Sequence, residues 1–405
     1  VSGGAAEVPH VRPESAAQSE AEPRSGSGSG SGAESQPRSR SPEGAAGPQP
    51  SELLDLVVIP GDGIGPELVG SALEVLERTA ALDGFGHRVT TIEAGAGAYR
   101  STGRALPDGA LERLRTADGV LKGPVGLPGV RHPDGTEAGL LGGLLRLGLD
   151  TFANVRPMRL LPGVTGGTRH GAGEIDYVLV RENTEGLYLS RGAGAATPHA
   201  ACDQLMITRA GTERVVRYAF SLARGRAGAP ADGVRRVTCV DKSNVLRSYA
   251  LFRRVFDEVA AEYPDIAAEH LYADAAAHDL VARPQCFDVL VTENFLGDVL
   301  SDLGAATVGG LGMCGSLNAG VHTSYAEPVH GSAPDIAGRG LANPLSQILS
   351  LALLLDRAGR HASGDRVRGA VESALADGAV ELDVRGRPAG GTASVTSAVC
   401  ERLAP

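Results

Sequence analysis

The chain has 405 residues, 42% of them hydrophobic, with no Trp and a formal net charge of −10. That is enough apolar sequence for two core-forming units, and the acidic balance argues against a nucleic-acid footprint. Five scattered cysteines (Cys202, Cys239, Cys286, Cys314 and Cys400) form no C-x-x-C pair, which argues against a disulfide framework or a zinc site and points to free thiols in a reducing, cytoplasmic setting.

Residues 1–50 are a zone of Gly, Ser, Pro, Ala, Arg and Glu, including SGSGSGSG from Ser25 to Gly32. Such a segment cannot bury enough apolar surface to offset its ordering entropy, so it is expected to be a disordered tail. It has no continuous apolar run of the secretory kind, and Glu7, Glu14, Glu20, Glu22, Glu34 and Glu43 count against an organellar transit peptide.

Folded sequence is expected from Leu53. LLDLVVIP reads as a strand, GDGIG as a turn, and Pro66-Glu67 as the opening of a helix whose Leu68, Val69, Ala72, Leu73 and Leu76 fall on helical spacing. Gly61-x-Gly63-x-Gly65 is not the G-x-G-x-x-G of a Rossmann dinucleotide fold, and no acidic residue ends a second strand at the expected distance. Further on, LKGPVG from Leu121 is loop-like, while Leu140 to Leu149 is apolar enough for a helix. Arg146 lies on that helix, Arg156 ten positions later, and Arg181 just after the strand-like YVLV. Three guanidiniums suit a substrate with two or three carboxylates, which they grip bidentately, although each alone would pass for a surface arginine.

The next helix, TERVVRYAFSLAR, has Thr212 as its expected cap, and Lys242 follows the strand-like VRRVTCV. Phe287–Asp302 then reads as a strand ending at Thr292-Glu293-Asn294 and a helix from Gly297, with Asp298 and Asp302 leaving one face at i,i+4. With Asp274 in LYADAAAH upstream, three aspartates converging at strand ends would suit a hard divalent cation. Taken alone, they would equally suit helix surfaces and a turn. The longest apolar run, Ile348 to Leu355, is too short to cross a bilayer and reads as a core helix.

Longer motifs follow one another in order: IPGDGIGPE from Ile59, FANVRP from Phe152, VRENTEGLY from Val180, VDKSNVL from Val240, TENFLGDVLSD from Thr292, EPVHGSAPDIAGRGLANP from Glu327 and GGTAS from Gly390. Together they resemble the β-decarboxylating dehydrogenases, the family of isocitrate, 3-isopropylmalate, homoisocitrate and D-malate/tartrate dehydrogenases. The resemblance covers essentially everything after the tail. It implies an α/β fold of the isopropylmalate dehydrogenase type, with mixed sheets and two domains, and an interlocked homodimer. Residues 53–151 with 309–405 would form the large cofactor-binding domain, and 152–308 the small domain bearing substrate, metal and dimer-arm residues. Residues 189–208 fall where that family places its arm.

Site roles are implied by the same resemblance. Arg146, Arg156 and Arg181 match substrate-binding positions. Tyr188 matches the tyrosine that protonates the enol carbon, and Lys242 the lysine that helps deprotonate the substrate hydroxyl. Asp274, Asp298 and Asp302 match ligands of Mg2+ or Mn2+, with Lys242 and Asp274 reaching into the partner subunit's site. Asn244 matches a position near the nicotinamide. His330, Gly331, Ser332, Ala333, Pro334, Asp335 and Ile336 match the loop that holds adenosine, and Asn343 an adenine contact. An aspartate at position 335 accepts hydrogen bonds from ribose hydroxyls and repels a 2′-phosphate, so NAD is expected over NADP.

Within the family the substrate is expected to be a malate-type 2-hydroxy acid: 3-isopropylmalate, D-malate or tartrate, or another 3-substituted malate. The alternatives are an isocitrate or homoisocitrate dehydrogenase, or a catalytically silent regulatory subunit. Leu140 and Gly142 stand where isocitrate enzymes place Ser-x-Asn, which disfavours isocitrate. Glu137 to Leu141 resembles the isopropylmalate pattern but carries two extra residues before Arg146, while Arg156 to Val164 leans toward the D-malate/tartrate enzymes. Retention of Tyr188, Lys242, all three aspartates and all three arginines favours an active enzyme. No membrane or nucleic-acid partner is expected.

Overall fold

The computed structural model describes residues 52–133, 135–191 and 194–404; the expectation for residues 1–50 lies outside them. β1 (Leu53–Ile59) leads through the glycine turn into α1 (Gly65–Asp83), which opens on Pro66 and stops at Gly84 in a left-handed conformation, φ 72°. β2 (Gly86–Thr91), α2 (Ala96–Thr102), α3 (Ala110–Arg115) and β3 (Gly119–Lys122) follow. The apolar stretch expected to be helical from Leu140 to Leu149 supplies α4 (Gly142–Gly148), and β4 (Ala153–Arg159) and β5 (Asp176–Glu182) carry the second and third arginines.

β6 (Ala195–Ala196) and β7 (Ala201–Cys202) pair only with each other, as an exposed two-stranded sheet in the expected arm region. Next come α5 (Arg209–Arg224), β8 (Arg236–Asp241), α6 (Arg247–Ala260), β9 (Ala267–Tyr272), α7 (Ala273–Ala282), β10 (Val289–Thr292) and α8 (Asn294–Thr307). β11 (Gly315–Ala319) and β12 (Ser324–Pro328) return to the main sheet, and α9 (Leu345–Arg357), α10 (His361–Ala376) and α11 (Gly391–Glu401) close the chain. The Ile348–Leu355 run lies within α9, as expected. Among the described residues no helix is long and apolar enough to cross a membrane. All five cysteines are free.

Two helix starts differ from the sequence expectation, α5 because a distant carboxylate fixes an earlier cap and α8 because the residue before it caps it. The cap of α5 is Thr208, whose hydroxyl accepts from Gly211 N at 3.0 Å, and not Thr212. Thr212 is buried one turn in and donates to the Thr208 carbonyl at 2.7 Å. The Glu185 carboxylate fixes Thr208 by accepting from its backbone N–H at 2.8 Å and from its hydroxyl. Likewise α8 starts at Asn294, three residues before Gly297, because Glu293 caps it by accepting from Leu296 N at 2.7 Å and Phe295 N at 3.0 Å.

Ten strands make one mixed sheet in the order β2-β1-β3-β12-β11-β4-β5-β10-β8-β9. β2, β1, β3 and β12 are parallel neighbours, as are β5, β10, β8 and β9, and the antiparallel strands β11 and β4 join the two blocks. The first five strands in that order come from residues 53–151 and 309–405, and the other five from 152–308. A parallel sheet needs cover on both faces, and the helices supply it with one large apolar core that includes Val155, Val180, Leu317 and Ala326. Because side chains alternate along a strand, the residues between these four point to the other face.

Candidate active site

The antiparallel seam places that other face in register. Tyr325 pairs with Asn318, Asn318 with Asn154, and Asn154 with Arg181, so one row of side chains crosses four strands. Two residues along, Glu327 pairs with Ser316, and Arg156 stands on the same face of β4. Buried polar side chains are as a rule hydrogen-bonded, and, the Tyr325 hydroxyl aside, these are. Asn318 Oδ1 accepts from Asn154 Nδ2 at 3.0 Å and Asn183 Nδ2 at 2.8 Å, and Asn318 Nδ2 donates to Glu327 Oε1 at 3.0 Å. Lys122 Nζ donates to Glu327 Oε2 at 2.5 Å, and Arg156 Nε to Asn154 Oδ1 at 2.7 Å.

Arg181 is 1% exposed, which makes it the most deeply buried of the three arginines. Its Nε and Nη2 donate to Asn294 Oδ1 at 2.9 and 2.7 Å, and Nη1 pairs with Asp298. Gly297 lets helix α8 approach this closely: a Cβ there would lie 2.6 Å from Arg181 Cγ. Burial, with Arg146 close by, works against the Arg181 cation, and Asp298 offsets it. Arg156 reaches the same helix, donating to Ser301 Oγ at 2.5 Å and Asp302 Oδ1 at 3.2 Å, with Nη2 3.7 Å from Asp298. Arg146, on α4, keeps a buried Nε with no hydrogen-bond partner among the described residues.

Tyr188 stands at the mouth, 43% exposed, and donates to Asp298 Oδ2 at 2.7 Å. Burial, then the bond to Asp298 and that group's charge, push its phenol up to about 12, so it keeps its proton at neutral pH. Burial also works against the Asp298 charge, but Arg181, Tyr188, Arg156 and Arg146 outweigh it and hold the carboxyl below the usual aspartate range. Asp302 goes the other way: burial raises it, Arg156 opposes, and the Asp298 charge adds to the rise. Two acids one turn apart, one of them lifted partly by the other, are a pair whose repulsion a cation relieves, so this donor set fits a hard divalent ion. Arg146, Arg181, Tyr188, Asp298, Lys122 and Glu327 all line one cleft of about 360 Å3.

The third expected metal residue is elsewhere within one chain. Asp274 opens α7 and accepts from Lys242 Nζ at 2.7 Å, and neither residue lines the cleft. Among the described residues no three His, Cys, Asp or Glu side chains of one chain are grouped to hold an ion. Within one chain Asp298 and Asp302 stand together and Asp274 stands apart from them. Asn244 is exposed beside Val245 and Leu246, which are 68% and 44% exposed.

The 330–336 loop is anchored to the glycine turn: Ile64 N donates to Ser332 O at 2.8 Å, and Ser332 Oγ to Gly126 O at 2.5 Å. Ala333 and Ile336 pack on Ile64 and Leu68, while Gly331, Pro334 and Asp335 are exposed at its rim. Burial pulls the His330 imidazole below its ordinary value. Asn343 uses its side chain internally, donating to Gly386 O at 3.0 Å and accepting from Leu345 N at 3.0 Å.

The sequence reading passed over Lys122, Glu327 and the asparagines 154, 183, 294 and 318. A lysine ending an apolar strand in KGP and a glutamate opening EPVHGS were the available signals. In Glu327, burial is outweighed by Lys122 and Arg146, which hold its carboxyl below the usual glutamate range. Its share of stability is therefore full above that range and is lost as the pH falls through the depressed value. Replacing Glu327 with Ala leaves Lys122, 2% exposed, without its counter-ion. We expect denaturant titration to show a loss of roughly 3–5 kcal/mol, largely recovered in the double variant Lys122→Met/Glu327→Leu. An unchanged midpoint for Glu327→Ala would mean the pair is solvated.

Known proteins resemble this chain over nearly all of its described residues. Residues 55–402 match the family model described as isocitrate/isopropylmalate dehydrogenase. The chain is 42% identical over 359 residues to 3-isopropylmalate dehydrogenase of Beutenbergia cavernae, covering 87% of this chain and 99% of that protein. It is 42% identical over 338 residues to the 3-isopropylmalate/3-methylmalate dehydrogenase of Methanocaldococcus jannaschii, covering 82% and 94%. Among solved structures, isocitrate dehydrogenase from Methylococcus capsulatus superposes with a TM-score of 0.76 at 37% identity, over 87% of this chain and all of that one.

Proposed function

Because the chain belongs to the isocitrate/isopropylmalate dehydrogenase family, a family of decarboxylating dehydrogenases, we propose that it oxidises a malate-type 2-hydroxy acid with NAD, releasing CO2, with the help of Mg2+ or Mn2+. The observation that carries this reading is the gathering of Arg146, Arg181, Tyr188 and Asp298 in one cleft, with Arg156 and Asp302 directly behind. Cations grouped this way suit a dicarboxylate, and none of the expected cleft residues is replaced, which favours an enzyme over a silent subunit. We take 3-isopropylmalate, D-malate, tartrate or another 3-substituted malate as the substrate, ahead of isocitrate or homoisocitrate.

In this reading Arg146, Arg156 and Arg181 bind and orient the substrate carboxylates. Asp298 and Asp302 hold the divalent ion together with the partner subunit's Asp274; when bound, the ion supplies Lewis acidity that stabilises negative charge on the substrate oxygens. The partner subunit's Lys242 takes the hydroxyl proton, and Tyr188, whose high pKa keeps it protonated, returns one to carbon after CO2 has left. Lys242 and Asp274 are paired, partly exposed, and flanked by exposed apolar Val245, Leu246 and Tyr272; Phe295 and Val299 beside Asp298 are exposed as well. Apolar exposure of this kind around an incomplete site supports a homodimer with shared sites. We further read 53–151 with 309–405 and 152–308 as its two domains, residues 189–208 as the arm, and the cytoplasm as its location.

NAD fits the exposed Asp335 on an anchored loop, with His330 to Ile336 around the adenosine and Asn244 of the partner subunit near the nicotinamide. Asn343 would meet adenine through its backbone, since its side chain is already bonded. The test of the function is NADH formation with Mg2+ or Mn2+ on a panel of 3-isopropylmalate, D-malate, tartrate, isocitrate and homoisocitrate. Silence of the purified protein on all five would contradict it. Asp335→Lys/Ile336→Tyr is expected to shift the NAD/NADP ratio of kcat/KM toward NADP by about a hundredfold or more, through loss of repulsion and gain of a cation. An unaltered ratio would place the adenosine elsewhere.

A further inference from the structure

Helix α8, which carries Asp298 and Asp302, begins on an unusual cap. Ser, Thr, Asp and Asn lead at that position, because a short oxygen side chain reaches the first free N–H groups directly. Here the residue is Glu293, 2% exposed. Burying a carboxylate is costly unless donors surround it, so the longer acid calls for a reason. Capping does not supply it, since an aspartate would serve the first turn as well. What the added length brings within reach is α6: Glu293 Oε1 accepts from the Tyr249 hydroxyl at 2.7 Å. Tyr249 is 4% exposed, and burial together with the Glu293 charge holds its phenol far above the ordinary value, so it is the donor of the pair. The other oxygen backs the turn that leads to Tyr188. Gly186 there has φ 84°, and a Cβ on it would lie 2.7 Å from Glu293 Oε2. The first turn of α8 is thus held on one flank by Arg181, through Asn294, and on the other by Tyr249, through Glu293. Neither Tyr249 nor Glu293 lines the cleft.

We propose that Tyr249 and Glu293 are positioning residues for the metal site: their bond fixes the start of α8 against α6 and so sets the place from which Asp298 and Asp302 present their oxygens. This inference rests on the reading of those two aspartates as ligands of the divalent ion. Mg2+ demands a near-ideal octahedron of oxygens at short distance, whereas Ca2+ accepts a looser and more variable set. A helix pinned at its start therefore favours Mg2+, and a helix free to rock loses Mg2+ before it loses Ca2+.

The test is metal binding by the full-length protein without substrate or NAD, with Mn2+ read by its EPR signal and Mg2+ and Ca2+ by competition against it. Tyr249→Phe removes the bond and keeps the cap, while Glu293→Asp keeps a cap that no longer reaches Tyr249. Each variant is expected to weaken Mg2+ binding by about tenfold, the lower end for outer partners of a metal ligand, and Ca2+ binding by less than about threefold. NAD affinity is expected to stay unchanged. The double variant should match the single ones, because both substitutions remove the same contact. A Mg2+/Ca2+ ratio that stays at the wild-type value in both single variants, whatever their melting temperatures, would overturn the assignment while leaving the metal centre standing. Losses that add in the double variant would overturn it as well. A wild-type protein that binds no Mn2+ would overturn the metal centre and this assignment together.

Discussion

On the proposal that Asp298 ligates the metal, replacing it with Asn is expected to reduce turnover by at least about a thousandfold and to weaken Mn2+ binding by at least about a hundredfold, because even the outer partners of a metal ligand are worth about ten- to a hundredfold. Asp298 is the point where the site's charges meet: it pairs with Arg181, accepts from Tyr188 and lies 3.7 Å from Arg156. Its carboxyl is ionised against the cost of burial because those neighbours hold it so. Asparagine is nearly the same shape, so the fold is kept while the charge disappears, and Arg181 is left buried with only Asn294 to bond. The Asp298→Asn variant should therefore show a raised KM for substrate as well as a shifted metal titration. A wild-type Mg2+ or Mn2+ titration with unchanged kcat would remove Asp298 from the ligand set.

Tyr188→Phe is expected to lower kcat by about 10²–10⁴-fold, the usual worth of a positioned acid, with NAD affinity little changed. The ring itself has structural partners that phenylalanine retains: it meets Phe295 edge-on at 6.2 Å between centroids, and the Arg181 guanidinium lies 5.6 Å from its centre. Only the hydroxyl and its 2.7 Å bond to Asp298 are lost. If Tyr188 acts after CO2 leaves, a single turnover should still produce NADH while release of the protonated product slows. Normal turnover would exclude Tyr188 from the chemistry, and slowing of hydride transfer alone would move its role to an earlier step.

The parts of this site that could be read from the chain are those with local signatures. The i,i+4 pair of Asp298 and Asp302, the arginine closing a strand at 181 and the tyrosine in RENTEGLY lie in segments whose motifs give their positions away. What could not be read depends on register between distant segments. Nothing local relates Asn154 to Asn318 or Lys122 to Glu327; these pairs exist because β11 and β4 run antiparallel between two parallel blocks and align their polar faces. Caps failed for a similar reason. Thr212 and Thr208 are both reasonable helix openers by composition, and the choice is made by Glu185, twenty-three residues upstream of Thr208. The separation of Asp274 from the other two acids within one chain is a third case: spacing alone let three aspartates converge, and only the resemblance assigned Asp274 to the partner subunit's site.

Subunit complementation tests the proposed shared site most directly. Tyr188→Phe and Lys242→Met homodimers should each be nearly inactive. When the two are mixed, unfolded and refolded together, activity should return to about a quarter of wild type, since random pairing makes half the dimers mixed and each of these carries one site with both an intact Tyr188 and the partner subunit's intact Lys242. Activity in the mixture no higher than the mean of the two separate variants would contradict a site built from both subunits.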